Sequence, residues 1–266
     1  METCGRSQNE FAFLRNINIH KMKIALLGYG KMGQEIEKLA VRRNHQVVLT
    51  IDNLEEWEDA GDRLAEADVA MEFSTPVSVI ENIYHCFDAS IPVIVGTTGW
   101  LDDLEKVRTD CLNRNQSLFF APNYSIGVNL FFDLNRYLAR LMSKWEKYTI
   151  SIEETHHIHK MDSPSGTAIV LANDIIRVSD RKEKWVNEEV GSPEELGIKS
   201  FRTENVPGTH VVKYESGEDS IEIIHTAKNR RGLATGALMA AEWILGKKGF
   251  FEMKDLLSAQ IFTNPE

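Results

Sequence analysis

The feature that most constrains the fold is an apolar run that leads into a glycine-rich turn, KIALLGYGKMG, at residues 23–33. The residues that follow are spaced for an amphipathic helix with Ile36 and residues 39–41 on its apolar face, and a second apolar run, QVVLTID, occupies residues 46–52. A strand, a crossover helix and a second strand in this order form a βαβ unit. The sequence therefore predicts that the fold begins with such a unit at Met22.

Further short apolar runs follow, namely DVAMEFS, IPVIVGTT and SLFFAPN, with helical segments between them. Buried strands that alternate with helices indicate a doubly wound parallel sheet, so we expect an α/β, Rossmann-like fold. The pattern changes near Gly127, after which YTISIEETHH, HVVKYES and DSIEIIHTAK alternate like half-buried strands of an antiparallel or mixed sheet. Residues 182–209 are polar and are expected to form a loop.

The segment GLATGALMAAEWILG, residues 232–246, is apolar over much of its helical surface and is expected to pack back on the first domain. We therefore predict a discontinuous first domain, residues 22–126 plus 231–266, with an α+β domain of residues 127–230 inserted into it. Residues 1–21 precede the second methionine and are expected to be an extension outside the fold.

The charge balance limits the partners of the chain. Its formal net charge of −10 at pH 7 repels nucleic acids and anionic membrane surfaces, so we expect neither as a partner. The three cysteines, Cys4, Cys86 and Cys111, form no CxxC pair and favour neither a disulfide framework nor a cysteine zinc site. No apolar run reaches the roughly 18 residues of a membrane span. These features predict a protein of the reducing cytoplasm.

The turn GYGKMG, from Gly28 to Gly33, has the GxGxxG spacing of dinucleotide-binding loops and stands between a strand and a helix, as that motif requires. Glycines there permit the tight turn, the approach of a pyrophosphate and close helix–strand packing. Asp52 ends the second strand, where a carboxylate accepts hydrogen bonds from the adenosine ribose. The turns GTTG and APNYS follow later strands and are candidates for the nicotinamide end, although each is also an ordinary βα turn.

The stretch EETHHIHKMDSPSGTA, residues 153–168, gathers three histidines, a lysine and several acids. A metal site would use His157, His159 and Asp162, but the acid lies one residue too far along for the HxHxDH pattern. The SPSGT turn has neither the GxSxG of a serine nucleophile nor the GK[ST] ending of a phosphate loop. An acid/base site fits better, because His156 or His157 can donate a proton near neutral pH.

The same stretch supplies groups that bind anions. Ser165, Gly166 and Thr167 stand at the start of a predicted helix, whose first N–H groups lack intrahelical partners. Lys160 adds a positive charge nearby. The alternative is a capped helix beside a solvated basic loop with no function.

Together these motifs resemble the 4-hydroxy-tetrahydrodipicolinate reductases, also called dihydrodipicolinate reductases, whose signature E-x-HH-xx-K-x-D-x-PSGTA the histidine stretch matches. The glycine loop, GTTG, APNYSIGVN and IEIIHTAKNRRGLATGAL also occur in that family's order, so the resemblance covers nearly all of residues 22–257. It implies hydride transfer from NAD(P)H to a cyclic imine dicarboxylate in lysine and diaminopimelate biosynthesis. It further implies a second domain that binds the substrate and assembles a homotetramer.

The resemblance also assigns the site residues. His156 takes the role of proton donor and Lys160 that of the catalytic lysine, and no metal is implied. The implied substrate contacts are His157, Ser165, Gly166 and Thr167. The implied cofactor contacts are Gly28, Tyr29, Gly30, Lys31, Met32, Gly33, Asp52, Gly96, Thr97, Thr98, Ala121, Pro122, Asn123 and Tyr124.

Two departures from the family pattern concern the cofactor. The glycine loop is GYGKMG where many members have GxxGxxG, and Asn53 follows Asp52 where many have an arginine. Without that arginine, the extra phosphate of NADPH would lie beside the Asp52 carboxylate, and a loop residue such as Lys31 is the alternative source of a compensating charge. We therefore expect NADH to be used at least as well as NADPH, which stays possible. The rival functions are a dinucleotide-sensing protein without turnover and a different imine reductase.

Overall fold

A computed structural model of the chain describes residues 21–187 and 190–262. Of the predicted extension, residues 1–20 lie outside the described residues, and so do residues 263–266, which we assigned to the first domain. Among the described helices, none is both long and apolar enough to cross a membrane.

The first sheet contains, within the described residues, six parallel strands. They are β1 (Lys23–Leu27), β2 (Gln46–Ile51), β3 (Val69–Glu72), β4 (Val93–Val95), β5 (Ser117–Phe120) and β11 (Gly249–Phe251). Their spatial order is β11-β5-β4-β3-β1-β2, so the order of the strands reverses between β1 and β3. In an open parallel sheet, ligands bind at the carboxyl ends of the strands beside such a reversal. The predicted doubly wound α/β fold is confirmed.

Helices cover both faces of this sheet. One face carries α1 (Lys31–Arg42), α7 (Arg231–Ile244) and α8 (Met253–Phe262), which pack their apolar side chains on β1 and β3. The other face carries α2 (Leu54–Ala60), α3 (Val79–Asp88) and α4 (Leu104–Asn113). The returning helix α7 is thus part of the first core, as its apolar surface requires.

The second sheet is mixed and has the order β10-β9-β6-β8-β7. Its strands are β6 (Thr149–His156), β7 (Lys184–Asn187), β8 (Glu195–Arg202), β9 (Gly208–Glu215) and β10 (Ser220–Ala227). Strand β9 runs antiparallel to β6 and β10, whereas β8 runs parallel to β6 and β7. Helices α5 (Ile126–Met142) and α6 (Gly166–Ile176) cover one face of the sheet and enclose a separate apolar core.

The expectation of a loop at residues 182–209 is wrong, because β7 and β8 lie in this segment. In β8, Leu196 and Ile198 are fully buried under the helices, while Lys199 is exposed. Two buried apolar residues in a polar segment give a weak alternation, and the strand is held by pairing with β6, far away in sequence. Tertiary pairing therefore decides the structure of this segment.

The chain leaves the first domain between β5 and α5 and returns between β10 and α7. The two crossings contact each other, since a Cβ built on Gly236 of α7 would lie 1.7 Å from the Tyr124 carbonyl oxygen. The Ser125 side chain accepts a hydrogen bond from the Val128 N–H and caps α5.

Candidate active site

The glycines of the first loop have separate roles. Gly28 has a left-handed φ of 95°, and a Cβ there would lie 2.4 Å from the Phe73 carbonyl oxygen at the end of β3. A Cβ on Gly33 would lie 2.3 Å from the Gly28 carbonyl oxygen. Gly30, in contrast, has no neighbour within 4 Å of its Cβ position and directly precedes α1. Gly28 and Gly33 are therefore required by packing, whereas Gly30 leaves open space at a helix N-terminus, where a phosphate binds.

The side chain of Asp52 is tied to this loop. Its Oδ1 accepts a hydrogen bond of 2.7 Å from the Tyr29 N–H. Its own N–H donates to the Glu56 carboxylate at 2.6 Å, and the Glu56 N–H donates to the Asn53 side chain at 3.0 Å. A second carboxylate, which sequence reasoning missed, thus lies beside Asp52. The end of β2 is consequently more acidic than the sequence pattern alone indicated.

The other predicted cofactor loops are partly built into the core. Tyr124 is 2% exposed, and its hydroxyl lies 2.8 Å from the Val95 carbonyl oxygen. Ala121 and Thr97 are also buried, and the Thr97 carbonyl accepts a hydrogen bond from the Trp100 ring. Thr98 and Pro122 are exposed. The side chains of the exposed residues can therefore contact a ligand, while the buried residues shape the loops.

The remaining predicted cofactor residues lie around the loop and the first turn of α1. Lys31 is exposed, and Met32 packs partly buried against the core of the first domain. The Gly96 backbone lies against the Phe73 ring, since a Cβ there would lie 2.1 Å from a ring carbon. The Asn123 side chain accepts a 2.9 Å hydrogen bond from the Ser125 N–H. All of these residues follow the carboxyl ends of β1, β4 and β5.

A buried acid, Glu72, lies at the end of β3 and was not singled out from the sequence. Its side chain accepts hydrogen bonds from the Ser74 N–H at 3.1 Å and from the Asn82 side chain at 3.3 Å. Burial raises the pKa of Glu72 above the usual range of a glutamate, against the effect of these hydrogen bonds. It connects the loop after β3 with α3, next to the reversal in strand order.

The second sheet gathers a row of polar side chains on its helix-covered face. Residues of β6 are buried alternately, so Glu154 and His156 share the inward face with the apolar Ile150 and Ile152. Glu154 pairs in register with Ser200 of β8 and with His210 of β9, and His156 pairs with Arg202. His210 in turn pairs with His225 of β10. Four strands thus bring their polar residues to one level at the end of the apolar core.

Glu154 is the centre of this row and its side chain has no exposed surface. Its carboxylate accepts hydrogen bonds from the Ser165 N–H at 3.1 Å and the Ser200 hydroxyl at 2.9 Å, and Arg202 Nη1 lies 3.5 Å away. Burial alone would raise the pKa of Glu154, but hydrogen bonds from Ser165 and Ser200 hold it below the usual range. Glu154 is therefore a buried carboxylate anion.

Two buried histidines face the same oxygen of Glu154. His156 Nδ1 lies 3.5 Å and His210 Nε2 lies 3.7 Å from Oε2. Burial lowers the pKa of His156, and the Glu154 carboxylate opposes this effect. Burial also lowers the pKa of His210, to about 4, so His210 is neutral at pH 7. A negative carboxylate and a histidine of adjustable charge are the components of an acid/base group.

The three side chains that converge here differ from the metal ligands that the sequence suggested. Donor atoms of Glu154, His156 and His210 all lie within 4.8 Å of one another. The carboxylate, however, is already hydrogen-bonded by Ser165 and Ser200, with the Arg202 guanidinium beside it. This arrangement satisfies the anion with N–H and O–H donors and fits a hydrogen-bonded ion-pair network.

The loop after β6 holds the predicted lysine. Lys160 Nζ lies 2.8 Å from both carboxylate oxygens of Asp162, and this pairing lowers the pKa of Asp162. Arg202 donates to the Asp162 carbonyl oxygen at 2.7 Å and so holds the loop against β8. His157 follows the end of β6, and its ring lies near that of His159, with centroids 6.2 Å apart. His157 is thus separate from the Glu154 group.

The residues at the start of α6 that were predicted to bind an anion have two different environments. Ser165 is 2% exposed, its N–H donates to Glu154, and its hydroxyl caps the helix by accepting from the Ala168 N–H. The polar groups of Ser165 are therefore bonded inside the protein, which argues against direct contact of Ser165 with the substrate. Gly166 and Thr167 begin the helix, where N–H groups have no intrahelical acceptor. The predicted anion contacts at Gly166 and Thr167 stay a prediction, which these N–H groups favour.

Sequence reasoning found His156 but not its partners. Glu154 belongs to the histidine stretch, and its signal was the alternation that places it on the buried side with His156. Ser200, Arg202 and His210 come from β8 and β9, and no local pattern connects them with β6. Only the strand pairing reveals that they form one group.

Comparison with known proteins agrees with this arrangement. Residues 22–124 match the family model described as dihydrodipicolinate reductase, N-terminus, and residues 127–257 match dihydrodipicolinate reductase, C-terminus. A 4-hydroxy-tetrahydrodipicolinate reductase from Christiangramia forsetii is 49% identical over 243 residues, which span 91% of this chain and 100% of the relative. One from Archaeoglobus fulgidus is 33% identical over 260 residues, or 89% of this chain and 100% of the relative.

A solved structure gives independent support for the fold. The dipicolinate-bound dihydrodipicolinate reductase from Paenisporosarcina sp. TG-14 superposes with a TM-score of 0.68 at 22% identity, over 87% of this chain and 97% of that chain. The resemblance seen in the histidine stretch is confirmed by matches that span both domains. The chain belongs to the dihydrodipicolinate reductase family.

Proposed function

We propose that the protein reduces 4-hydroxy-tetrahydrodipicolinate to tetrahydrodipicolinate with NAD(P)H, in lysine and diaminopimelate biosynthesis. The substrate gains one hydride and one proton and loses one water, and the nicotinamide leaves oxidised. The observation that carries the proposal is the junction of β6 and α6. There a buried histidine–carboxylate group adjoins two helix N–H groups without intrahelical acceptors, in a chain that also has a dinucleotide-binding loop. This combination suits a small dianion that must be protonated.

The residues present fit a dinucleotide. The open space at Gly30 and the N-terminus of α1 would hold the pyrophosphate, and Asp52 would bind the adenosine ribose. The reduced nicotinamide supplies the hydride when it is bound. His156 then delivers the proton, and Lys160 with the N–H groups of Gly166 and Thr167 binds the carboxylates. Because Lys160 is paired with Asp162, a substrate carboxylate has to compete with that acid for Nζ.

The direct test is to supply the product of dihydrodipicolinate synthase and follow the absorbance of the reduced nicotinamide. We expect oxidation that depends on this substrate and stops when it is consumed. Tight dinucleotide binding without oxidation would instead favour the sensing protein. Oxidation with unrelated imines but not with this dicarboxylate would favour a different imine reductase.

For the cofactor, we propose that NADH is used at least as well as NADPH. Asp52 is joined by Glu56 at the ribose end, while Asn53 uses its side chain to bind the Glu56 N–H and carries no charge. Arg43 is engaged with Glu242 on α7, at 3.1 Å. Two carboxylates would repel the phosphate of NADPH.

Michaelis constants for both cofactors at matched ionic strength test this preference. Asp52→Ala should weaken NADH and improve NADPH, because it removes a ribose acceptor and one of the two repelling charges. A wild-type advantage for NADPH of about tenfold or more, equal to about 1.4 kcal/mol, would contradict the proposal.

We also propose a homotetramer assembled through the second domain, in the cytoplasm. The face of the second sheet opposite α5 and α6 carries Phe201 at 47% and Ile224 at 58% exposure. On α5, Leu130, Leu134, Tyr137 and Leu141 are also exposed. Apolar side chains exposed along one domain support burial between subunits. Light scattering should give four chains per particle, and Ile224→Glu should reduce that number if this face is an interface.

A further inference from the structure

One oxygen of the buried carboxylate Glu154 faces two histidines, and the carboxylate is itself fixed from three sides. Ser165 binds it from the start of α6, Ser200 from β8, and His210 faces it from β9. His210 Nε2 also lies 3.1 Å from the Ser165 hydroxyl, which locks the second histidine in place. The position of Oε2 is therefore set by groups other than His156.

The two nitrogens of His156 have different surroundings. Nδ1 is buried and, within the described residues, has no hydrogen-bond partner, and the nearest carboxylate oxygen is Glu154 Oε2 at 3.5 Å. Nε2 lies at the other edge of the ring, against Gly208, where a Cβ would come within 3.0 Å of it. Gly208 also has a φ of 156°, which side chains rarely adopt. The backbone at β9 thus leaves the space at Nε2 free of a side chain.

We propose that Glu154 is a positioning residue that accepts a hydrogen bond from the Nδ1–H of His156, so that Nε2–H is the group that protonates the substrate. This inference rests on the proposed reductase function. When His156 is protonated, Nδ1–H points to Oε2, and a small ring movement closes the present 3.5 Å to a hydrogen bond. After Nε2 gives up its proton, the remaining proton stays on Nδ1, held by Glu154.

Among the charged groups around His156, Glu154 has the strongest effect on the protonation of its ring. Burial and the positive Lys160 and Arg202 disfavour the imidazolium, while Glu154 and Asp162 favour it. Asp162 is already paired with Lys160 and is exposed, whereas Glu154 is fully buried, where charge acts most strongly. His210 is neutral near pH 7 and His225, beside it, also has a pKa lowered by burial, so neither adds a charge there. Glu154 is therefore the main group that keeps His156 able to take a proton.

The test is an NMR titration of His156 in the free protein, assigned by comparison with His156→Gln. In Glu154→Gln the pKa of His156 should fall by at least about one pH unit, because the buried anion is lost. The matched control is Glu153→Gln, the same change at the preceding residue of β6, on the opposite face of the sheet. This control should leave the titration of His156 unchanged.

A second readout is the pH dependence of kcat/KM. As the pH rises, kcat/KM should fall at a lower pH in Glu154→Gln than in the wild type, by the same amount as the fall in the pKa of His156. In the wild type, nitrogen shifts should place the proton of neutral His156 on Nδ1, and a proton on Nε2 would overturn the proposal. So would an unchanged His156 titration in a folded Glu154→Gln. If that variant does not fold, Glu154→Asp replaces it. A smaller fall in the pKa of His156 is then expected, and an unchanged pKa would likewise overturn the proposal.

These readouts separate the two inferences. A wild type without substrate-dependent nicotinamide oxidation would defeat the proposed function, while the titration of the free protein would still decide whether Glu154 governs His156. An active wild type with an unchanged titration in Glu154→Gln would defeat the positioning role alone.

Discussion

Alanine at Gly33 should destabilise the protein through a single backbone contact. Its methyl group would lie 2.3 Å from the Gly28 carbonyl oxygen, about 1.1 Å inside the ordinary contact distance of 3.4 Å. Both groups belong to the backbone of the β1–α1 turn, so the helix has to move away from the strand. Overpacking of this kind costs about 1 to 3 kcal/mol, which for a chain of this size lowers the melting temperature by about 2 to 12 °C.

Gly30→Ala in the same loop is the matched control. No atom lies within 4 Å of its Cβ position and its φ of −73° suits alanine, so the free protein should melt within about 2 °C of the wild type. Its methyl group would, however, occupy the space of the cofactor pyrophosphate, and the Kd of NADH should rise about tenfold or more. Thermal melts by circular dichroism and fluorescence titration with NADH measure the two effects.

Any of three results would refute these roles. Wild-type melting of Gly33→Ala would mean that the strand and helix are not in the contact described. Wild-type NADH affinity of Gly30→Ala would mean that the pyrophosphate does not approach residue 30. A simple loss of fold in both variants would also contradict the separation of roles.

Three further outcomes are expected. His156→Gln should lower kcat by about 10²- to 10⁴-fold with little effect on NADH affinity, and near-normal turnover would remove histidine from the chemistry. Lys160→Ala should lower kcat/KM by about 10- to 100-fold through both kcat and KM, since a charge that faces the substrate is lost; a change in KM alone would assign Lys160 to binding only. Because burial raises the pKa of Glu72, its contribution to stability is complete below the ordinary value of 4.5 and is lost as pH rises through the raised pKa. The melting temperature of Glu72→Gln relative to that of the wild type should therefore increase as the pH rises from 4 to 8. A difference independent of pH would contradict this.

The parts of the fold that the sequence predicted are those decided by local chemistry. The glycine loop was predictable because its glycine spacing between a strand and a helix is a local pattern, and Gly33 packs against the Gly28 carbonyl within that turn. His156 was readable because its stretch is unusual in composition. Strand β11 was missed since three residues carry no periodicity, and its position in the sheet comes from pairing with the edge of β5.

The site was only partly readable for the same reason. Glu153 and Glu154 are neighbouring acids that composition does not distinguish. In the structure Glu154 is buried, whereas Glu153 lies on the other face of β6 and is only partly buried. Ser200 and His210 lie beside Glu154 because of the strand register. The sequence alone does not give this register, because it does not show which strands pair. The substrate contact expected of Ser165 stays a prediction, and the sequence did not reveal that its N–H donates to Glu154 inside the protein.

The return of the chain to the first sheet sets the order in which the two domains can form during synthesis. The core of the inserted domain draws on a continuous stretch, from Phe131 to Ile223, and can close as soon as that stretch has left the ribosome. The core around β1 needs Ala234 and Leu256, and the edge of β5 waits for β11. The cofactor-binding half, although made first, is therefore completed last, and until then its unpaired strand edge and uncovered apolar face are exposed to chaperones and proteases.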